Sequence, residues 1–564
     1  MTTEAEPRDL TGALVRLRDE LAGVQLELEL PDAGSARQTR DELVGQIEDY
    51  LLPRVRQMDA PLLMVVGGST GAGKSTLVNS LVGSSVSPAG VLRPTTRAPV
   101  LVCNPADVHW FDDSRVLPGL ARTTGGAGAP GGLELTPTPA LPAGLALLDS
   151  PDIDSVVASN RALAGQLLAA ADSWLFVTTA ARYADAVPWD LLHAARDRGT
   201  ALSLVLNRVP PEAAGEVADH LRQMLADRGL GETQLLVVPE TVLADGLLPA
   251  EALAPVREWL DGLSADAQAR AALVGRTLTG ALDSLPPRVA VVRRALEHSL
   301  GAVEELHDAV EDVYAAALAE VDETVRSGSL LRGEVLGRWH EVVGTGDLMR
   351  ALETRVGWLR DRVRALVTGT PPADVELKTA VETSIDAVVH AAADRAAERA
   401  AERWSEQSAG RALLTRAPRL DAASPQLLEE TADEVRAWQG FIFELVREEG
   451  ASKRTTARLA SLGVNGAGLT VMLAVFVQTG GLTGAEIAVA GGTSALGQRV
   501  LEAIFGDQAV RTLAARARDD LLARVERLLA RDAARFTDLL TPLAPSAESP
   551  ERLSRALREL ERAR

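Results

Sequence analysis

From residue 62 to about residue 262 the chain alternates short apolar runs with stretches whose leucines, valines and alanines recur at helical spacing. The runs fall at 62–66, 99–102, 145–148, 174–178, 202–206 and 235–238, each long enough for one buried strand. Such alternation predicts a mostly parallel sheet with helices on both faces. Ahead of it, two helical patterns, Leu10 to Leu28 and Ala36 to Gln57, are parted by Pro31-Asp32-Ala33-Gly34. Beyond about residue 263 the strand signals stop, and Ala/Leu/Arg/Glu patterns predict a helical stalk or bundle. The expected organisation is an N-terminal helical segment at 1–58, an α/β domain at 59–262 and a helical bundle at 263–564.

Three stretches depart from this plan. Residues 113–144 are irregular and carry Gly125-Gly126-Ala127-Gly128-Ala129-Pro130-Gly131-Gly132 at their centre, which predicts a mobile loop. Around 390–404, alanines alternate with Arg395, Glu398, Arg399 and Glu402, which reads as close helix packing on one side and a solvated charged face on the other. From Leu459 through Ala485 no residue is charged. Leu459 to Val477 spans about 28 Å as a helix, close to the hydrocarbon thickness of a bilayer. Gln478-Thr479-Gly480-Gly481-Leu482-Thr483-Gly484 then turns the chain back, with Arg454 and Arg458 before the first arm and Arg499 after the second. The second arm is too short for a full span, so a hairpin over 459–506 that dips into one leaflet is one expectation. Gly463, Asn465, Gly466, Gly468 and Gln478 support the other, a hairpin buried within the bundle.

Composition narrows the class. With 46% hydrophobic and 24% charged residues among 564, the chain is a folded protein of several domains. A net charge of −20, with no basic run free of interleaved acids, argues against nucleic acid as a main partner. A single cysteine, Cys103, leaves no internal disulfide or Cys-based zinc site, and the acidic N-terminus shows no secretory signal, so a cytoplasmic setting is expected. Usage rich in alanine and arginine and poor in lysine suggests a GC-rich bacterial genome.

The chemistry concentrates at the end of the first apolar run. Leu62-Leu63-Met64-Val65-Val66 leads into Gly67-Gly68-Ser69-Thr70-Gly71-Ala72-Gly73-Lys74-Ser75-Thr76, the pattern G-x-x-x-x-G-K-S, and then directly into a helical pattern at Leu77, Leu81 and Val82. Glycines let successive N–H groups turn inward toward phosphate oxygens, and the helix adds its positive end. Lys74 is one of only three lysines, with Lys378 and Lys453, among 58 basic residues, as expected where a compact ammonium must sit between two phosphates. Ser75 is the expected Mg²⁺ ligand.

Three further segments follow in order. Leu92-Arg93-Pro94-Thr95-Thr96-Arg97 offers a switch threonine, Thr96 in preference to Thr95, to reach Mg²⁺ and the γ-phosphate. Leu145-Ala146-Leu147-Leu148 ends in Asp149-Ser150-Pro151-Asp152-Ile153, where the Asp149 carboxylate would hold Mg²⁺ through water. Leu204-Val205-Leu206 leads into Asn207-Arg208-Val209-Pro210, where Asn207 can brace the loop or contact a base and the stem of Arg208 can cover it.

Together these residues resemble the P-loop GTPases of the Era and septin type and, with the helical half included, the bacterial dynamin-like proteins. Lys74-Ser75-Thr76-Leu77-Val78-Asn79-Ser80-Leu81-Val82-Gly83 and Thr96-Arg97-Ala98-Pro99 carry the likeness. The resemblance implies a P-loop GTPase domain at 59–262 that binds GTP and Mg²⁺. Nucleotide contacts then come from Gly68, Ser69, Thr70, Gly71, Ala72, Gly73, Lys74, Ser75, Thr76, Asn207 and Arg208, metal contacts from Ser75, Thr96 and Asp149, and catalytic help from Lys74, Thr96 and Arg97. It also implies self-association through the GTPase domain and membrane remodelling at the inner face of the cell membrane. Three positions depart from the family: Gly71 stands where dynamins carry a catalytic serine, Asp152 where GTPases have a glycine, and Pro210 where the base-reading aspartate belongs. Ile153, at the place of a water-orienting glutamine, cannot hydrogen-bond water, so a low intrinsic rate is expected, with Arg97 or the Arg182-Tyr183-Ala184-Asp185 loop as candidate helpers. The alternatives are a soluble Era-like regulatory GTPase with a helical effector domain, and a weakly hydrolysing nucleotide-binding scaffold.

Overall fold

The structure is a computed structural model that describes residues 9–88, 98–112, 116–117, 120–123, 132–154, 158–327, 373–450 and 507–564. It forms two compact units, one of 1–26, 32–298 and 545–564, the other of 27–31 and 299–544.

The first unit is built on an eight-stranded sheet: β1 Leu62–Gly68, β2 Val100–Cys103, β3 Arg122–Thr123, β4 Leu133–Pro137, β5 Leu145–Asp149, β6 Ser173–Thr179, β7 Ala201–Val209 and β8 Gln234–Pro239. Their order is β3-β4-β2-β5-β1-β6-β7-β8, parallel throughout except where β2 meets β5. All seven residues of β1 are buried because both faces of a central strand are covered, which is why it reads as an unbroken apolar run. Its side chains alternate between two cores: Leu63 and Val65 pack with Leu148, Trp174 and Phe176 on one face, Leu62, Met64 and Val66 with Leu77, Val78 and Leu147 on the other. In the insertion 113–144, expected to be a mobile loop, the described residues supply β3 and β4, with Leu133 and Leu135 turned into the first of these cores, while 124–131, with most of the glycine run, lies outside the described residues.

Helices α1 Leu10–Ala22 and α2 Ala33–Gln46 precede the sheet, and a π-helical turn at Ile47–Leu51 leads into α3 Leu52–Arg56. They share a third core with Leu282, Leu285 and Val292 and with Leu553 and Leu560 of the terminal helix Ser549–Ala563. The buried guanidinium of Arg54 joins this layer to the sheet by pairing with Asp172, which also accepts the N–H of Leu63 at 2.8 Å. Between and around the strands lie α4 Lys74–Val82, α5 Ala158–Ala169, α6 Ala186–Asp197, α7 Ala214–Asp227, α8 Ala250–Ala265 and the start of α9 Ala267–Arg326.

The second unit is helical, with the later part of α9, Ala373–Glu406, Ser408–Arg416, Leu427–Gly450 and Asp507–Leu540. The alanine stripe Ala392, Ala393, Ala396, Ala397 and Ala400 is buried, while Arg395 reaches Glu320 across the bundle. Trp404 and Trp438 are sealed in its core and donate their indole N–H groups to the carbonyls of Leu306 and Ala517. The apolar hairpin expected at 459–506 lies outside the described residues, and among the described residues no helix is long and apolar enough to cross a membrane.

Candidate functional site

Parallel strands bring the ends of β1, β5 and β7 to one edge of the sheet, the edge where open α/β sheets bind ligands. Val66 stands in register with Asp149, so the last residue of β5 lies beside the start of the glycine loop, and Thr179 stands in register with Asn207. Sequence-distant segments thereby become one site.

The loop's path requires glycine at its two ends. Gly68 has φ +150°, and a Cβ there would lie 2.1 Å from the Val177 carbonyl oxygen of the neighbouring strand. Gly73 has φ +97°, and its Cβ would meet the Asn207 amide nitrogen at 2.5 Å. That amide donates to the Ala72 carbonyl at 2.8 Å, while Asn207 Oδ1 accepts the N–H of Arg208 at 2.9 Å. Asn207 thus braces the loop from β7, and Arg208 beyond it is exposed with φ +54°.

Lys74 opens α4 and folds back beneath the loop, only 4% exposed. Its ammonium donates to the carbonyls of Gly68 at 2.9 Å and Ser69 at 3.2 Å and pairs with Asp152 at 2.5 Å. Asp154 completes a second clasp: one of its oxygens accepts both the N–H and the hydroxyl of Thr70 at 2.6 Å, and the other faces Arg182 at 3.2 Å. Arg182 also donates to the Thr70 carbonyl and to Asp185, each at 2.9 Å. Burial alone would raise the Asp154 carboxyl, yet the Thr70 donors and Arg182 outweigh it and hold the group below the usual carboxylate range. Sequence reasoning marked Asp152 as a departure but did not foresee its hold on Lys74. Asp154 was missed, and the only signal for it was a second acid two residues on.

Asp149 is fully buried. One oxygen, Oδ2, accepts the hydroxyls of Ser75 at 2.6 Å and Ser87 at 2.5 Å, and the other has no partner among the described residues. Burial pushes this carboxyl up, against the opposing pull of the two hydroxyls and Lys74. A hydroxyl beside a carboxylate with one uncommitted oxygen is the all-oxygen donor set that suits a hard divalent cation. Ile153 is buried in the apolar core and presents no hydrogen-bonding group. Thr76 lies on the first turn of α4, its carbonyl accepting the Ser80 hydroxyl. The expected switch residues Thr96 and Arg97 lie outside the described residues.

No protein-family model matches the chain, and no curated protein matches it. Among solved structures, Aquifex aeolicus Era bound to GDP and aluminium fluoride matches at 18% identity over 36% of this chain and 56% of that one, with a TM-score of 0.24. The LeoA bacterial dynamin GTPase from ETEC matches at 13% identity over 98% of this chain and 97% of that one, with a TM-score of 0.25. A member of an oligomerised bacterial dynamin pair, described as sensing and tethering membranes at long range, matches at 10% identity over 100% of this chain and 96% of that one, with a TM-score of 0.47. At these identities and scores the likeness carries nothing about activity, and the case for function rests on the residues around the loop. Among the described residues the chain itself is an α/β sheet domain followed by a long helical region.

Proposed function

We propose that the chain is a Mg²⁺-dependent GTP-binding and slowly GTP-hydrolysing protein of dynamin-like type, whose nucleotide state governs self-association and engagement of the inner face of a membrane. The observation that supports it most is the convergence of Lys74, Ser75 and Asp149 on one glycine-shaped loop. In this reading the N–H groups of residues 69–76 and the Lys74 ammonium bind and orient the phosphates. Ser75 and Asp149 hold the metal, with Thr96 as a further ligand, and Asn207 and Arg208 face the base. Mg²⁺, when bound, supplies charge neutralisation at the β- and γ-phosphates. Lys74, Thr96 and Arg97 are the groups assigned to stabilise charge that develops on the transferred phosphoryl group. Ile153 leaves the attacking water without an orienting partner, so turnover is slow in the isolated chain and rises when a second subunit contributes a group.

Membrane engagement is assigned to 459–506 on its sequence pattern, and guanine on the resemblance, since Pro210 removes the usual reader of the base. A second reading, a nucleotide-binding scaffold that hardly turns over, is favoured by Asp152 on Lys74. One experiment separates them: GTP and ATP binding and turnover across a protein dilution series, beside Lys74→Ala. GTP-selective turnover that depends on Lys74 and climbs faster than protein concentration supports the dynamin-like reading, and binding without turnover supports the scaffold. Flotation with anionic liposomes tests the membrane step, and a chain that stays at the bottom with every nucleotide removes it.

A further inference from the structure

We propose that Ser87 is a positioning residue for the metal-holding carboxylate Asp149, set in place by Asn79, so that α4 controls the metal site through two hydroxyls rather than one. The inference deepens the nucleotide reading and rests on it. Ser87 belongs to none of the motifs, and it is 1% exposed. Its hydroxyl donates to the same Asp149 oxygen that takes the Ser75 hydroxyl, at 2.5 and 2.6 Å. The other Asp149 oxygen is sealed from solvent and takes no donor among the described residues.

Two donors on one oxygen fix the rotation of the carboxylate and decide which oxygen is left for a cation. With Ser75 alone, the group can turn about its Cβ–Cγ bond and offer either oxygen, the more so because a Ser75 hydroxyl that ligates a metal must share its geometry with it. Partners behind a ligand of this kind are worth about 10- to 100-fold in metal affinity.

The position of Ser87 is itself enforced. Asn79, 3% exposed and one helical turn beyond Ser75, accepts the N–H groups of Val86 at 2.9 Å and Ser87 at 2.8 Å, and its amide donates to the Ser87 carbonyl at 2.8 Å. A side chain that meets three backbone groups of a turn holds that turn as a secondary-structure ladder would. Helix α4 therefore delivers Ser75 directly and Ser87 through Asn79.

The test uses the full chain and reads dissociation of a fluorescent GTP analogue while Mg²⁺ is titrated, with a parallel series in EDTA. A second readout is binding of Mn²⁺ to the protein–nucleotide complex, followed by electron paramagnetic resonance. Ser87→Ala is expected to raise the Mg²⁺ concentration for half-maximal nucleotide retention by about 10- to 100-fold, to weaken Mn²⁺ binding alike, and to leave affinity in EDTA unchanged. Ser87→Thr keeps the hydroxyl and should restore the wild-type Mg²⁺ dependence. Should Ser87→Ala fail to fold, Ser87→Cys, which keeps the volume and weakens the donor, is read in the same way. An unchanged Mg²⁺ requirement, or an equal loss with and without Mg²⁺, overturns the proposal and leaves the nucleotide site standing. Wild-type retention indifferent to Mg²⁺ sinks the metal reading itself, and the proposal with it.

Discussion

Replacing Asp152 with asparagine should make the chain bind nucleotide more tightly. Lys74 and Asp152 meet at 2.5 Å with side chains 4% and 19% exposed, so a phosphate that takes the ammonium must first displace the carboxylate. A hydrogen bond to a charged group contributes a net ~1.5–3 kcal/mol, and whatever it contributes to the free protein is subtracted from the affinity of a competing ligand. Asparagine keeps the shape and a weaker acceptor, which points to the lower end, a gain of roughly tenfold in affinity for ~1.4 kcal/mol. The same substitution leaves a buried ammonium short of its counter-charge, so the nucleotide-free protein loses stability while the saturated protein does not. Equilibrium titration of a fluorescent GTP analogue measures the first effect and thermal unfolding with and without saturating nucleotide measures the second. Affinity that stays level or falls in Asp152→Asn would refute the reasoning, because it would mean that Asp152 serves the bound state.

Gly73→Ala is expected to abolish nucleotide binding and destabilise the first unit by about 1–3 kcal/mol, read by denaturant unfolding, since φ of +97° and a Cβ 2.5 Å from Asn207 both oppose it. Arg54→Ala strands the buried Asp172 carboxylate and should lower the stability of the first unit by about 3–5 kcal/mol; a loss under 1 kcal/mol, on the scale of exposed pairs, would contradict that account. In the second unit Asp386 is pushed up to about 6 by burial and by the Glu382 charge, against the pull of Arg436, and one of its oxygens is buried without a partner among the described residues. The folded state therefore holds a proton there that the unfolded state has released, and stability falls as pH rises from about 4 to about 6. Asp386→Asn should flatten that slope in unfolding midpoints and stabilise the unit at pH 7, by less than the full shift implies because the residue is partly solvated.

How much of this was legible in the sequence follows from what each feature depends on. Strands β1, β2, β5 and β6 are buried along their whole length and so appear as short apolar runs, while β7 and the edge strand β8 are only partly buried yet keep apolar stretches of their own. Strands β3 and β4 escape because two residues, Arg122 and Thr123, and the five-residue alternation Leu133-Glu134-Leu135-Thr136-Pro137 are too short to stand out beside a glycine run. The antiparallel meeting of β2 with β5 leaves no local mark, since strand direction is set by the connections. The placement of Lys74 and Ser75 at the start of a helix directly after a buried strand was legible because the G-x-x-x-x-G-K-S pattern joins an apolar run to a helical one. The hold of Asp152 on Lys74, and of Asp154 on Thr70, is a through-space fact that only the register of β1 with β5 creates. Ser87 gave no signal at all, being one serine in a polar turn whose partner lies across the sheet edge.

Asp149 and Asp152 sit three residues apart and have opposite relations to the site. Asp149 ends a buried strand, is gripped on one oxygen by two neutral hydroxyls and leaves the other without a partner among the described residues, an arrangement that favours a cation or proton beside the buried charge. Asp152 lies past the strand, keeps contact with solvent and is answered already by Lys74. The first carboxylate is therefore arranged to receive charge, and the second to occupy the group that a ligand's phosphate needs. On the proposed reading, a nucleotide that arrives with its metal would satisfy both at once, by supplying the cation to Asp149 and by replacing Asp152 at Lys74. Free phosphate meets only the second requirement, so the wild-type chain should discriminate for metal-complexed triphosphate; Asp152→Asn lowers a cost common to both ligands, so titrations with Mg²⁺ and in EDTA should show both affinities raised by a similar factor, and a gain confined to one of them would contradict the argument.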